Sequence, residues 1–200
     1  MDARRHSPAA ERNGPPLLAE LQRRLSAQGV MLEVASGTGQ HAALFGAALP
    51  GWQWWPTDFD AAALPSIADW CAGLPNVQPP QVLDVLQPAW PSVPAVVDAI
   101  FCANMLHIAP WACCAGLMQG AARHLAPAGW LFTYGPYLED EVPTGPGNLA
   151  FDADLRARDP AWGLRRREDV QAVAAEAGLV LAERVAMPAN NLLLVWRRRS

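Results

Sequence analysis

Three carboxylates are spaced as if to face one small molecule. Glu33 lies within "MLEVASGTGQHAALF", Asp58 ends "PTD", and Asp84 sits in "LDV" just ahead of Val85. Between the first two is Gly37-Thr38-Gly39, where Gly37 and Gly39 permit positive φ and let backbone come close to a ligand. Carboxylates placed this way accept from hydroxyl and amino groups or hold a cation, and charge-assisted bonds are the stronger kind. Further along, Asn104 precedes His107 by three residues, Tyr134 and Tyr137 flank Gly135-Pro136, and Asp152 lies in a polar stretch. His107, Tyr134, Tyr137 and Asp152 are the candidate general bases, should a reaction here need one.

These residues must be positioned by the elements around them. Apolar runs predict strands over 30–35, 52–57 (closing on Asp58), 80–86, 96–106 and 129–137. Helical patterns cover 40–48, 61–74, 110–129 and 167–178, the third closed by Ala128-Gly129 and the last stopped by Gly178. Strands alternating with helices predict a mostly parallel α/β sheet with helices on both faces. The end of the chain departs from that alternation. Residues 179–187 and 191–199 read as two strands joined by Pro188-Ala189-Asn190, too short for a parallel crossover, so this pair is antiparallel. The three acids then stand on the carboxyl edge of the sheet, where open α/β sheets bind ligands. Trp52 and Trp54 share one face of their strand and read as core. His41 reads as structural or cofactor-adjacent. Residues 138–164 form the least regular stretch, long enough for a substrate lid.

Bulk composition narrows the field. Two hundred residues, 52% hydrophobic and 17% charged, suit one globular domain spanning 1–200. The net charge of −4 provides no basic field for nucleic acid. All 15 basic residues are arginine, which excludes a lysine Schiff base and a P-loop lysine. Cys71, Cys102, Cys113 and Cys114 form no C-x-x-C pair, and no metal cluster is evident. Residues 1–16 hold no apolar signal stretch, and no apolar run is long enough to span a membrane, so the expected location is cytoplasmic.

The glycine turn admits three readings. It can be a bare strand-to-helix turn. It can be a nicotinamide dinucleotide site, because Gly37 to Ala42 fits G-x-G-x-x-A and Asp58 follows Gly39 by 19 residues. An acid such as Glu33 is a poor neighbour for a pyrophosphate, however. S-adenosylmethionine has no phosphate. It carries an ammonium, a sulfonium and a ribose diol, which suit three carboxylates. Each acid alone is also an ordinary helix N-cap; together, with the antiparallel ending, they favour S-adenosylmethionine over NAD(P).

The order of "LEVASGTGQH", "PTD", "LDV", "DAIFCANMLHI" and "GWLFTYGPY" resembles the class I, seven-stranded methyltransferases. More narrowly, "SPAAERN", "CANMLHIAPW", "AFDADLRARDPAWGLR" and "MPANNL" resemble the methyltransferase-like 26 family. The resemblance covers nearly the whole chain. It implies the Rossmann-like class I methyltransferase fold and S-adenosylmethionine as cofactor, and it names no substrate. The acidic balance and the short chain point to a small-molecule methyl acceptor rather than nucleic acid. Glu33, Ala35, Gly37 and Gly39 would line the methionine end, Asp58 the ribose, Asp84 and Val85 the adenine, and Asn104 the region of the sulfonium. Arg12 and Asn13 would cover the site from the N-terminal segment. Ala35 departs from the general pattern by standing where many such enzymes have the loop's first glycine. The alternatives are an NAD(P)-dependent oxidoreductase and a non-catalytic S-adenosylmethionine-binding module. Neither nucleic acid nor membrane is an expected partner, and the oligomeric state is left open.

Overall fold

A computed structural model of the chain describes residues 2–199. The strands are β1 (Gly29–Val34), β2 (Trp52–Asp58), β3 (Gln81–Val82), β4 (Val97–Ala103), β5 (Leu125–Gly135), β6 (Leu179–Met187) and β7 (Asn191–Arg198). The helices are α1 (Pro8–Arg24), α2 (Gln40–Ala48), α3 (Leu64–Trp70), α4 (Ala112–His124), α5 (Pro146–Arg158) and α6 (Arg167–Glu176). Among the described residues the strands form one seven-stranded sheet in the order β3-β2-β1-β4-β5-β7-β6. The first five strands in that order pair in parallel, and β7 is antiparallel to both neighbours.

Side-chain alternation along β1 divides the core in two. Leu32 and Val34 join Leu117, Met118 and Val170 under α4 and α6. Met31 faces the other way, with Leu17, Phe45, Trp54 and Ile67 from α1, α2, β2 and α3. Trp52 and Trp54 are buried on that second side, as their shared face predicts. Helices therefore cover both faces.

Several elements differ from the sequence reading, each for a local reason. The N-terminal segment is largely helical: Ser7 Oγ accepts from the Ala10 amide at 3.3 Å, Pro8 occupies the first turn, and Leu17 and Leu21 are buried. Pro15 and Pro16 obscure this in the sequence, because interior prolines ordinarily break a helix. β3 is only two residues long rather than 80–86, held between Pro79-Pro80 and the turn at Asp84. β4 stops at Ala103, and Met105–His107 form a 3-10 turn. α4 ends at His124 instead of Gly129. β5 already pairs Leu125 with Val97, and the register shift before Trp130 pairs with Ala99 takes up Ala126 to Gly129 as an irregularity. The stretch 138–164, read as irregular, contains α5. No described helix is long and apolar enough to cross a membrane.

Candidate functional site

The β1–α2 turn is built from left-handed residues: Ala35 at φ 58°, Gly37 at φ 59° and Gly39 at φ 91°. A Cβ on Gly39 would lie 2.6 Å from the Ile67 Cα, so α3 approaches the turn too closely for a side chain there. Neighbouring elements brace the turn. Ser36 donates its amide to the Thr57 carbonyl at 2.8 Å, and Thr57 returns its own amide to Ser36 Oγ at 3.2 Å. Ser66 of α3 donates its hydroxyl to the Thr38 carbonyl at 2.8 Å. The Ser7 amide, at the start of α1, donates to Gln40 Oε1 at 2.6 Å.

A cleft of about 440 Å³ opens beside this turn along the carboxyl edge of β1, β2, β3 and β4. Ala35, Gly37, Asp58, Asp84 and Val85 line it. Its charged lining residues are Asp58 and Asp84, with no basic residue among them. Asp58 Oδ2 accepts from the Gly37 amide at 2.8 Å and Oδ1 from the Asp60 amide at 2.9 Å. Asp84 accepts from the Leu86 amide at 2.9 Å and from Gln87 Nε2 at 3.2 Å. Each carboxylate is thus fixed by local donors yet faces the cleft, since a carboxylate offers about four acceptor sites. The apolar walls come from residues the sequence reading passed over: Phe59, Leu86, Ile108, Pro110, Cys113 and Trp162. Phe59 immediately follows a strand-end acid and is 72% exposed, a signal the sequence offers. Trp162 arrives from the segment after α5, inside the 138–164 stretch whose length suggests a lid.

The remaining candidates do not line this cleft. Glu33 is on the Met31 side of β1, buried, with Oε2 accepting from Trp54 Nε1 at 2.6 Å. Burial pushes its carboxyl up to about 8 against the lowering effect of Trp54, with Asp58 adding to the rise. Gly39 is behind the turn, against Ile67. Asn104, at φ 61°, donates its amide to the Tyr134 carbonyl at 2.8 Å and links the ends of β4 and β5. Arg12 and Asn13 lie on α1, and the Arg12 charge acts on Tyr134. The Tyr134 hydroxyl accepts from Asn191 Nδ2 at 2.8 Å, and burial pushes the phenol up to about 12. Burial raises the Tyr137 phenol as well, so both stay protonated near neutrality.

His107 is fully buried beneath the 105–110 loop. Its Nδ1 accepts from the Arg165 amide at 3.2 Å, its carbonyl accepts from the Gly163 amide at 2.9 Å, and its ring meets Tyr137 edge-on at 4.7 Å. Burial, reinforced by Arg165, lowers its pKa to about 3. It is a neutral group that ties residues 161–166 to the loop. Asp152, on α5, accepts from Arg156 Nε at 2.9 Å and from the Leu164 amide at 2.7 Å. Burial alone would raise its pKa, but these donors outweigh that and hold it low. His41 is buried and stacks on Phe45 at 5.3 Å, a structural placement.

A seven-stranded, mostly parallel sheet with β7 antiparallel to both neighbours matches the architecture of known methyltransferase structures. The mitomycin 7-O-methyltransferase MmcR superposes with a TM-score of 0.79 at 15% identity, over 95% of this chain and 54% of that one. Human N-acetylserotonin methyltransferase, solved in complex with SAM, gives 0.78 at 15% identity, over 96% and 53%. An O-methyltransferase family protein from Burkholderia thailandensis gives 0.75 at 19% identity, over 96% and 58%. This chain spans just over half the length of those proteins, and at such identities the likeness establishes the class I methyltransferase fold. By sequence, the chain belongs to the family described as "Protein of unknown function (DUF938)", whose match runs from residue 4 to residue 198.

Proposed function

We propose that this chain is an S-adenosylmethionine-dependent methyltransferase acting on a small-molecule acceptor, with the cofactor bound in the cleft lined by Ala35, Gly37, Asp58, Asp84 and Val85. One observation carries the reading: the turn amide that a pyrophosphate would need, that of Gly37, already donates to the Asp58 carboxylate, and the cleft lining has two acids and no cation. That environment leaves a pyrophosphate short of one turn donor and of any cation, and suits a ligand bearing ammonium and sulfonium charges. Asp58 then receives the ribose hydroxyls and Asp84 the adenine amino group. The structural neighbours, one of them solved with SAM, support the cofactor.

Methyl transfer to a nucleophile is an in-line displacement, so alignment is the protein's main task. The acceptor, in this reading, enters beyond Asn104, over the carboxyl edge of β5 and its neighbours. A second cavity lies there, lined by Tyr137, Asn148, Asn190 and Asn191. The 138–164 region, with α5 at its centre, forms its lid, and the Arg12 charge acts on Tyr134 from α1, on which Asn13 also lies. The narrower likeness to the methyltransferase-like 26 family and a cytoplasmic location with reduced cysteines belong to the same proposal.

Isothermal titration with S-adenosylmethionine and S-adenosylhomocysteine tests it. Micromolar binding is expected, weakened about tenfold in Asp58→Ala through loss of charge-assisted bonds. Binding of NADH without binding of S-adenosylhomocysteine would overturn the assignment.

A further inference from the structure

A separate cavity of about 270 Å³ lies outside the cofactor cleft, between α5, the start of α6 and the 105–111 loop. Its charged lining residues are Arg156, Arg165, Arg166 and Asp169, beside Trp111, Leu138 and Leu164. Three guanidinium groups and one carboxylate thus line it, and two of the three have carboxylate partners outside the lining. Arg156 is turned toward Asp152 by its Nε, and Arg166 pairs with Asp140. Arg165 differs from both. Its Nε donates to the Leu106 carbonyl at 2.8 Å, and its Nη2 donates to the Ala109 and Ala161 carbonyls at 2.8 and 2.7 Å. No carboxylate lies within 4 Å of it, and Nη1 has no hydrogen-bond partner, among the described residues. It also sits over the Trp111 ring at 5.5 Å.

We infer that this cavity is an oxyanion site, in which a carboxylate or phosphate group is held by Arg165, Arg156 and Arg166 against the Trp111 side of the loop. A half-buried guanidinium without a counter-ion is costly, and a second one converging on it adds repulsion. Burial lowers the Arg165 pKa, and the Arg156 charge lowers it further, with Asp152 acting in the opposite sense. An oxyanion between them removes both penalties, taking a charge-assisted bond from the free Nη1 of Arg165 on one side. Asp169 is the one lining group that opposes it. The site is coupled to the cofactor cleft, because Arg165 holds the carbonyls of Leu106 and Ala109, and Ala109 walls the cleft.

The test is isothermal titration of the full chain with inorganic phosphate and with phenyl phosphate, at constant ionic strength. One site with a Kd of about 1 mM is expected for inorganic phosphate, the scale of a few charge-assisted bonds after the cost of association. Arg156→Gln and Arg166→Gln should each weaken it about fivefold. Arg23→Gln, which removes the same charge from exposed α1, should leave it unchanged. Arg166 is on the rim, so its variant keeps the test valid if Arg156→Gln disturbs α5. Tighter binding of phenyl phosphate assigns an anionic group on a flat organic body, seated near Trp111. Equal affinity for the two probes assigns a free anion. No saturable binding of either probe, or equal weakening by Arg23→Gln, overturns the site.

Discussion

Glu33 should make stability fall as pH rises through neutrality. It is a buried carboxyl with one strong donor, Trp54 Nε1, and a folded-state pKa of about 8 against an ordinary 4.5. Between those values the folded protein holds a proton that the unfolded chain has released. The native state therefore binds more protons, and raising pH favours unfolding. The full effect across the interval is about 5 kcal/mol, at about 1.4 kcal/mol per pH unit. Below pH 6.5 the buried histidines obscure it. His41 and His107 have folded pKa values lowered to about 4 and about 3, so their contribution is present above 6.5 and is lost as pH falls. From pH 6.5 to 8 Glu33 should cost about 2 kcal/mol, against about 1 kcal/mol that the two histidines return as the unfolded chain loses its remaining imidazole protons. Glu33→Gln keeps an acceptor for Trp54 and removes the proton. Urea unfolding at pH 6.5 and pH 8 should show the stability difference between wild type and variant changing by about 2 kcal/mol, the histidine contribution being common to both. Equal slopes for the two proteins would refute the burial argument.

Two further perturbations discriminate between roles. His107→Ala strands the Arg165 amide and leaves a void, so it should cost about 2–4 kcal/mol in unfolding experiments at pH 7; that deficit should shrink in acid, because the wild type loses the His107 contribution below pH 6.5. A variant as stable as the wild type would remove His107 as the tie between the loop and residues 161–166. In the turn, Gly37→Ala meets no atom within 4 Å and pays only for φ 59°, about 1 kcal/mol. Gly39→Ala drives a Cβ into the Ile67 backbone and should cost well over about 2 kcal/mol. Equal unfolding midpoints for these two variants would mean that α3 shifts freely.

The sheet was legible because alternation, turn residues and helix stops coincide in this sequence. β6 and its turn into β7 follow the reading residue by residue, since Pro188-Ala189-Asn190 leaves no room for a crossover. α1 was hidden by Pro15 and Pro16, and α5 by a polar, glycine- and proline-rich lead-in. Among the cleft residues, Gly37, Asp58 and Asp84 were legible because strand ends and glycine turns are local events, whereas Ala35 and Val85 came from the family resemblance. Glu33 was harder, although alternation holds the key: Met31 and Glu33 share a face, and Met31 is core. Trp162 and Arg165 depend on how α5 folds back over the 105–111 loop. That contact joins residues more than fifty positions apart, and no period or motif encodes it.

The turn itself explains why such short glycine motifs mislead. Gly37-Thr38-Gly39 gives the backbone freedom that either a pyrophosphate or a methionine end would use. In the function proposed above, what separates the two is the direction of one amide. In this chain the Gly37 N–H points into the Asp58 carboxylate, so the donor a phosphate oxygen would take is spent, and a negative charge stands at the mouth of the turn. The same carboxylate braces the turn and sets the sign of the cleft. Replacing Asp58 therefore does two things at once: it frees a donor and removes an anion. Asp58→Ala should thus weaken S-adenosylhomocysteine in titration without admitting NADH, because Asp84 still places an anion in the cleft.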